Sequence, residues 1–534
     1  MSFSTIAQQN SIDIKATLED TKDRLNIQQK IVYYNTSNTE LKRIFLHNWP
    51  NSFKNRKTAL SKRFIEAYQK KMYFSKAKDL GFTEIKNISV NFETVRFQEV
   101  KNQIDILEIT LNTPLKQNDS VVINATYSVK IPNAKFTDYG KTKTGYHLRY
   151  WYLNPAVYNS EWQLMSNLNT DDLFEIPTNY TIELELPKAY SINSNLYKYT
   201  TKRTESNHFY FTGRQKTDVI FTINKVDQFK IYKTKKIAIH TDILDKDIDY
   251  THATKLLDKE LSFLEKYLGA YPHKEIFLDQ VAQKKDPIYG LSQLPDFIRP
   301  FSDTFKTDLT LFKILAKKYI ENTMLINKRK EYWITDGLQS YLMMEYVDAF
   351  YPEVKLLGST SNAWFLKNYQ ISKLNFNDKY PFIYQLSARN FLDQPLTTSV
   401  DSLSNFNRKI VNKYKAGLGF RYLKGYLGDS ILNSSIKEFY QKKKLVPVTT
   451  NDFQKVITNK TTKDLSWFFG DYIQTNKKID YTIKKAEIIG DSVQVTLKNK
   501  RNITAPIALY GLKNKEIGFK KWYSNIAIFA YRTL

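Results

Sequence analysis

Near residue 236 the spacing of apolar residues changes from a period of two to a period near 3.6, and this change divides the chain before any motif is considered. Upstream, "YTIELELP" (180–187), "FYFTGR" (209–214) and "DVIFTINKV" (218–226) alternate apolar and polar positions as half-buried strands do. Downstream, "THATKLLDKELSFLEKYLGAYP" (251–272) repeats at helical spacing and reaches Gly269 and then Pro272, a stop signal. Helical spacing persists to about residue 475, where strands return in "KKAEIIGDSVQVTLKN", turning on Gly490 and Asp491. At 534 residues the chain is too long for one core. The expected fold is therefore multidomain α+β: an N-terminal β domain over 8–236, a mainly helical domain over 237–475 and a C-terminal β domain over 476–534. No repeat or low-complexity linker separates the parts, which predicts that they pack together.

With 42% hydrophobic and 14% aromatic residues the chain has enough apolar material to bury, which excludes a disordered protein. The net charge of +26 raises the question of nucleic acid. The lysines are dispersed, with only short runs such as "QKKK" (441–444), so a solvated basic surface is expected and a nucleic-acid partner is not. The absence of cysteine removes disulfides and thiolate metal sites. No run of 18 apolar residues occurs, so no transmembrane segment is expected. Ser4-Thr5-Ile6-Ala7 before Gln8-Gln9 has the look of the end of a signal peptide, with 1–7 as its remnant. That predicts an exported, periplasmic or extracellular protein; an ordinary terminus would leave it cytoplasmic.

The chemistry concentrates in "LFKILAKKYIENTMLINKRKEYWITDGLQSYL" (311–342), a predicted helix, a basic loop and a second helix. Lys313 and Lys317, four residues apart, share a helix face, and Asp336 follows nineteen residues after Lys317, just inside the second helix. This spacing resembles the zinc site of the membrane alanyl aminopeptidase family, the gluzincin-type peptidase family M1. There, His-Glu-x-x-His is followed nineteen residues later by a glutamate ligand. Lys313-Ile314-Leu315-Ala316-Lys317 fills those five positions. The residues Trp333-Ile334-Thr335-Asp336-Gly337-Leu338-Gln339-Ser340-Tyr341 are similar to the bacterial branch's Trp-Met-Asp-Glu-Gly-x-x-Ser-Tyr, and Asn327 with Arg329 matches its Asn-x-Arg. Residues 149–175 resemble the family's segment bordering the cleft, "GLSQLPDFI" (290–298) its Gly-Gly-Met-Glu-Tyr-Pro strand, and 461–483 the end of its helical domain.

The resemblance covers nearly the whole chain. It implies an N-terminal β-sandwich or saddle domain, a thermolysin-like helical domain and the start of a C-terminal β domain. It also implies a zinc cofactor, aminopeptidase activity, and a substrate cleft bordered by Gly290, Gln293 and Trp333, although the residue type of Trp333 favours core packing. The chemical positions depart from the family. Two ammoniums at the ligand positions Lys313 and Lys317 repel a cation, and Ile314 cannot serve as general base. Gln293 replaces the glutamate that pairs with a substrate amine, and the transition-state tyrosine aligns with Lys413, Tyr414 lying one residue out. Of the ligand positions only Asp336 keeps a metal donor. The six histidines, His47, His147, His208, His240, His252 and His273, all precede the site helix.

The expected protein is thus a non-catalytic relative without bound zinc that binds peptides or a partner protein, with Asp336 bridging Lys313 or Lys317. An active metallopeptidase with an atypical metal or a metal-free mechanism stays open. So does a decaying gene product, since known family members continue well beyond the last strands found here.

Overall fold

Alternation in the first half becomes sheet: Ile12, Ile14, Ala16 and Leu18 of strand Ser11–Glu19 point into the core. This strand pairs in parallel with Thr178–Leu186, Ile14 opposite Ile182, and antiparallel with Arg24–Tyr34. They belong to a nine-stranded sheet. Two four-stranded sheets, one containing Leu41–His47 and Gln103–Leu115 and the other Gly145–Arg149 and Ile220–Asn224, share its core through Ile44, Ile109, Leu148 and Phe221. Burying one face of each sheet against another gives the sandwich. Helix α1 (Ala59–Glu66), capped by the Thr58 hydroxyl at the Ser61 amide, leaves the sandwich on its cleft side.

The computed structural model describes residues 9–524 except 200–201, 204–205, 246, 292–298, 365, 491, 502 and 514–515. The suspected signal remnant at 1–7 therefore lies outside the described residues, as does Gln293.

The second half opens with a small sheet that straddles residue 236. Strand Lys230–Lys233 pairs with Ala238–Thr241, which in turn pairs in parallel with Glu275–Leu278, and the helical core already includes Tyr232. Helix α2 (Tyr250–Leu268) starts on Asp249, whose carboxylate accepts the His252 amide, and ends at Gly269, where φ is +87°. Short α3 (Gln280–Lys285) follows, then α4 (Asp303–Glu321), α5 (Tyr332–Phe350), α6 (Lys379–Arg389) and α7 (Asn412–Leu427). Ser302 caps α4 by accepting the Phe305 amide. Helix α5 is apolar on nearly every face and buried over almost its whole length, as a central helix must be.

Close approach fixes the register between α5 and α7. A Cβ on Gly417 would lie 2.5 Å from the Ser340 Cβ, and one on Gly337 would lie 2.8 Å from the Phe420 ring. Neither position tolerates a side chain without the helices moving apart. At the end of the chain, hairpins Tyr481–Ile489/Ser492–Asn499 and Ile507–Lys513/Glu516–Tyr523 form, and Trp522 packs on Tyr422 and Tyr426 of α7. Among the described residues no helix is long and apolar enough to cross a membrane.

Candidate functional site

A cleft of about 660 Å³ separates the sandwich from the helices. Its sandwich wall includes Asn169, Thr170, Asp171 and Asp172, from the stretch likened above to the family's cleft border. Its helical wall includes Asp286, Lys317, Asp336 and Lys413. Arg329 fastens the two walls. Its guanidinium, buried between them, donates from Nε to Asp172 Oδ2 at 2.6 Å and from Nη2 to Oδ1 at 3.1 Å, a bidentate pair. Asn327 Oδ1 accepts the Arg329 amide and holds the loop that carries it.

Lys313 and Lys317 project from one face of α4 as their spacing predicts, and both meet a carboxylate that the sequence analysis missed. Lys313 Nζ donates to Asp286 Oδ1 at 2.9 Å, to the Asp286 carbonyl at 3.0 Å and to the Pro287 carbonyl at 2.9 Å. Lys317 Nζ lies 3.7 Å from Asp286 Oδ2, and Lys413 Nζ of α7 lies 3.2 Å from Oδ1. Gln339 of α5 completes the shell, donating from Nε2 to Asp286 Oδ2 and to the Lys313 carbonyl, each at 3.1 Å. Four polar side chains from three helices thus converge on one buried aspartate.

Asp336 does not bridge Lys313 or Lys317 as expected; its ion pair is with Lys413, at 3.7 Å. The physical reason is that Asp286 already supplies the counter-charge on the α4 side, while the tight α5–α7 register sets Asp336 against Lys413. Three ammoniums and two carboxylates leave a formal excess of +1.

The electrostatics follow from this arrangement. Burial alone would raise the Asp286 carboxyl, but Lys313, Lys413 and Lys317 outweigh it and hold it well below the usual carboxylate range. Burial, together with Lys413 and Lys317, pushes Lys313 down to about 8 despite Asp286. Burial also opposes charge on Lys413, yet Asp286 and Asp336 hold it above the ordinary lysine value. Asp336 is raised, by burial first and by Asp286 as a like charge, with Lys413 opposing.

Other predicted positions fall into place or out of it. Ile314, at the base position, is packed in the helical core. Trp333 does not border the cleft. It is fully buried, donates from Nε1 to Thr450 Oγ1 at 2.8 Å and packs on Phe420, so its place is the core that its residue type favours. Tyr414 packs on Tyr380 beside the cleft. Gly290, exposed with φ +83°, adjoins Tyr289, a cleft residue. Asp286 escaped notice because it belongs to no motif; its signal was indirect, in that two half-buried lysines on one face of an apolar helix call for a carboxylate from elsewhere.

These residues do not suit zinc. A hydrolytic site needs three neutral or anionic donors, whereas the positions at the ligand spacing carry two ammoniums and a paired aspartate. Among the described residues no group of three or more His, Cys, Asp or Glu is placed to hold a metal ion.

No protein-family model matches the sequence, and no curated protein does. Solved structures do match. The M1 zinc metallopeptidase from Deinococcus radiodurans superposes with a TM-score of 0.56 at 10% identity, over 88% of this chain and 95% of that one. A two-domain M1 zinc metallopeptidase variant bound to L-arginine gives 0.54 at 11% identity, over 87% and 94%. A variant of the Deinococcus radiodurans protein bound to a Tyr-Ser-Ala substrate gives 0.54 at 10% identity, over 88% and 95%. The protein has the fold of the M1 zinc metallopeptidases.

Proposed function

We propose that the protein is a non-catalytic relative of the zinc aminopeptidases that uses its cleft to bind peptides or an extended segment of a partner protein. The observation that carries this reading is the occupation of Asp286 by Lys313, Lys317 and Lys413. Ammoniums stand where a dication and its donors would be needed, and Ile314 offers no proton acceptor at the base position. Peptides are the ligand class favoured by the neighbours, whose structures hold amino acids and a tripeptide. What this chain retains suits such a ligand: a wide, polar cleft whose walls are fixed by Arg329 and Asp172.

Elemental analysis of purified protein, alongside assays of amino-acid and dipeptide amides with and without added zinc, tests the reading. The expected result is substoichiometric metal and no turnover above background. Stoichiometric zinc, or turnover abolished by a chelator, overturns it in favour of an active metallopeptidase with an atypical site.

A further inference from the structure

A second, smaller cavity opens off the cleft, with Pro287, Tyr289, Lys409 and Lys413 lining both. Its volume is about 30 Å³, room for two or three water molecules or one small polar group. Four of its lining residues are lysines (Lys313, Lys379, Lys409 and Lys413), and none is an aspartate or glutamate. Asp286 pairs with Lys313 and Lys413 from behind. The other two lysines differ in setting: Lys409 is exposed at the mouth, and Lys379 is 4% exposed.

Lys379 makes no hydrogen bond or ion pair with any described residue. Its Nζ lies 3.8 Å from the centroid of the Phe376 ring and 5.1 Å from that of Tyr380, contacts that favour a cation without supplying a hydrogen-bond acceptor. Burial, with Lys313 as a like charge, pushes its pKa well below the ordinary lysine value. The side chain is buried while its amine opens on the cavity with no acceptor from a described residue, so a hydrogen-bond partner has to come from what fills that space. The hydroxyls of Tyr289 and Tyr414, also on the cavity wall, likewise lack hydrogen-bond partners among the described residues. Donors without acceptors, gathered round a small space that no acidic side chain lines, describe a site whose missing component is an anion.

We propose that this cavity binds a single carboxylate group, held by Lys379 and the adjacent lysines and hydrogen-bonded by the tyrosine hydroxyls. The small volume favours a carboxylate over a bulkier oxyanion. Its position beside the cleft suits the carboxylate of a peptide lying there, either an acidic side chain or a C-terminus. The identity of the carrier rests on the peptide-binding reading above; the carboxylate site itself does not.

Calorimetric titration of the full chain with sodium acetate and with three peptides of one sequence tests it. One peptide carries Glu and an amidated C-terminus, one Gln and a free C-terminus, and one Gln and an amide. A charge-assisted contact of this kind corresponds to about tenfold or more in affinity. The expected result is that one of the two carboxylate-bearing peptides binds at least about tenfold tighter than the neutral one, and that Lys379→Met erases the difference while leaving the neutral peptide's binding unchanged. Lys379→Met fills the same space without a buried amine and so retains the fold; Lys409→Ala, at the exposed mouth, gives a smaller loss. Acetate binding that Lys379→Met abolishes, with no peptide bound, upholds the site but refutes the peptide reading of the cleft. Equal binding of all three peptides, a preference that survives Lys379→Met, or no binding of acetate or any peptide overturns the carboxylate site.

Discussion

Lys313 holds Asp286 twice, its ammonium donating to the side-chain Oδ1 at 2.9 Å and to the backbone carbonyl of the same residue at 3.0 Å. With the Pro287 carbonyl as a third acceptor, every proton of this ammonium is used. A cationic side chain thereby ties α4 to the loop after α3.

The first prediction follows from the burial of that aspartate. Asp286→Ala leaves three cationic groups short of their counter-charge, and truncating one partner of a buried ionic cluster costs about 3–5 kcal/mol. Asp336→Ala removes one longer contact to Lys413 at the edge of the cleft and costs ~1 kcal/mol. Replacing Asp286 with Leu and all three lysines with Met recovers most of the loss. Denaturant unfolding of the three variants measures this ordering, and an Asp286→Ala protein as stable as the parent removes the cluster from any structural role.

Single changes toward the family motif are expected to confer neither zinc binding nor activity. Lys313→His alone provides one metal donor and breaks three hydrogen bonds. A metal needs its ligands together, and loss of a general acid–base group alone is typically worth about 10²–10⁴-fold in rate. Lys313→His, Ile314→Glu, Lys317→His and Asp336→Glu combined is the variant to compare with each single change. Zinc content by elemental analysis, followed by amide hydrolysis, is the readout; zinc bound stoichiometrically by any single variant contradicts the argument.

Acid stability should depend visibly on Glu321. Burial would raise its carboxyl, but Lys328, at 3.3 Å, and Lys317 bring it down to about 2 from an ordinary 4.5. A carboxyl depressed on folding stabilises the native state above its unfolded pKa, and that contribution disappears as pH falls toward the folded value. Stability should therefore drop between pH about 4.5 and about 2, by at most ~3 kcal/mol from this group. Glu321→Gln should make the decline shallower over the same window in unfolding curves collected against pH; an unchanged slope excludes the assignment.

Backbone approach gives a prediction independent of charge. Gly417→Ala forces a Cβ to 2.5 Å from that of Ser340 and should cost about 1–3 kcal/mol through overpacking. Gly470→Ala meets no heavy atom within 4 Å and should stay within ~1 kcal/mol of the parent. Thermal unfolding of the pair separates the two, and equal melting temperatures refute the close-packed register.

The parts of this molecule written in local pattern were legible before the structure. The alternation in Ser11–Glu19 and Thr178–Leu186, the Gly269 stop, and the shared face of Lys313 and Lys317 all follow from periods of two and 3.6. Motif spacing placed Lys413 at the cleft, and the structure brings it to Asp286. What escaped was set by contacts between distant segments. Asp286 lies 27 residues from Lys313 and 127 from Lys413, and nothing in its immediate neighbourhood marks it. The isolation of Lys379 likewise depends on which side chains pack around α6 rather than on its sequence. Trp333 was drawn toward the cleft by alignment with a motif, when its aromatic surface and single donor belonged with Phe420 and Thr450 in the core.

The ring of lysines around Asp286 also bears on where this sequence can travel over generations. Loss of Asp286 strands three ammoniums, whereas exchange of a single ring lysine for a neutral residue removes the excess positive charge and leaves the carboxylate paired. Substitution in this cluster is therefore constrained in order: a lysine can be lost before the aspartate, and the aspartate cannot be lost first. The cluster thereby channels drift through its periphery and holds its centre fixed.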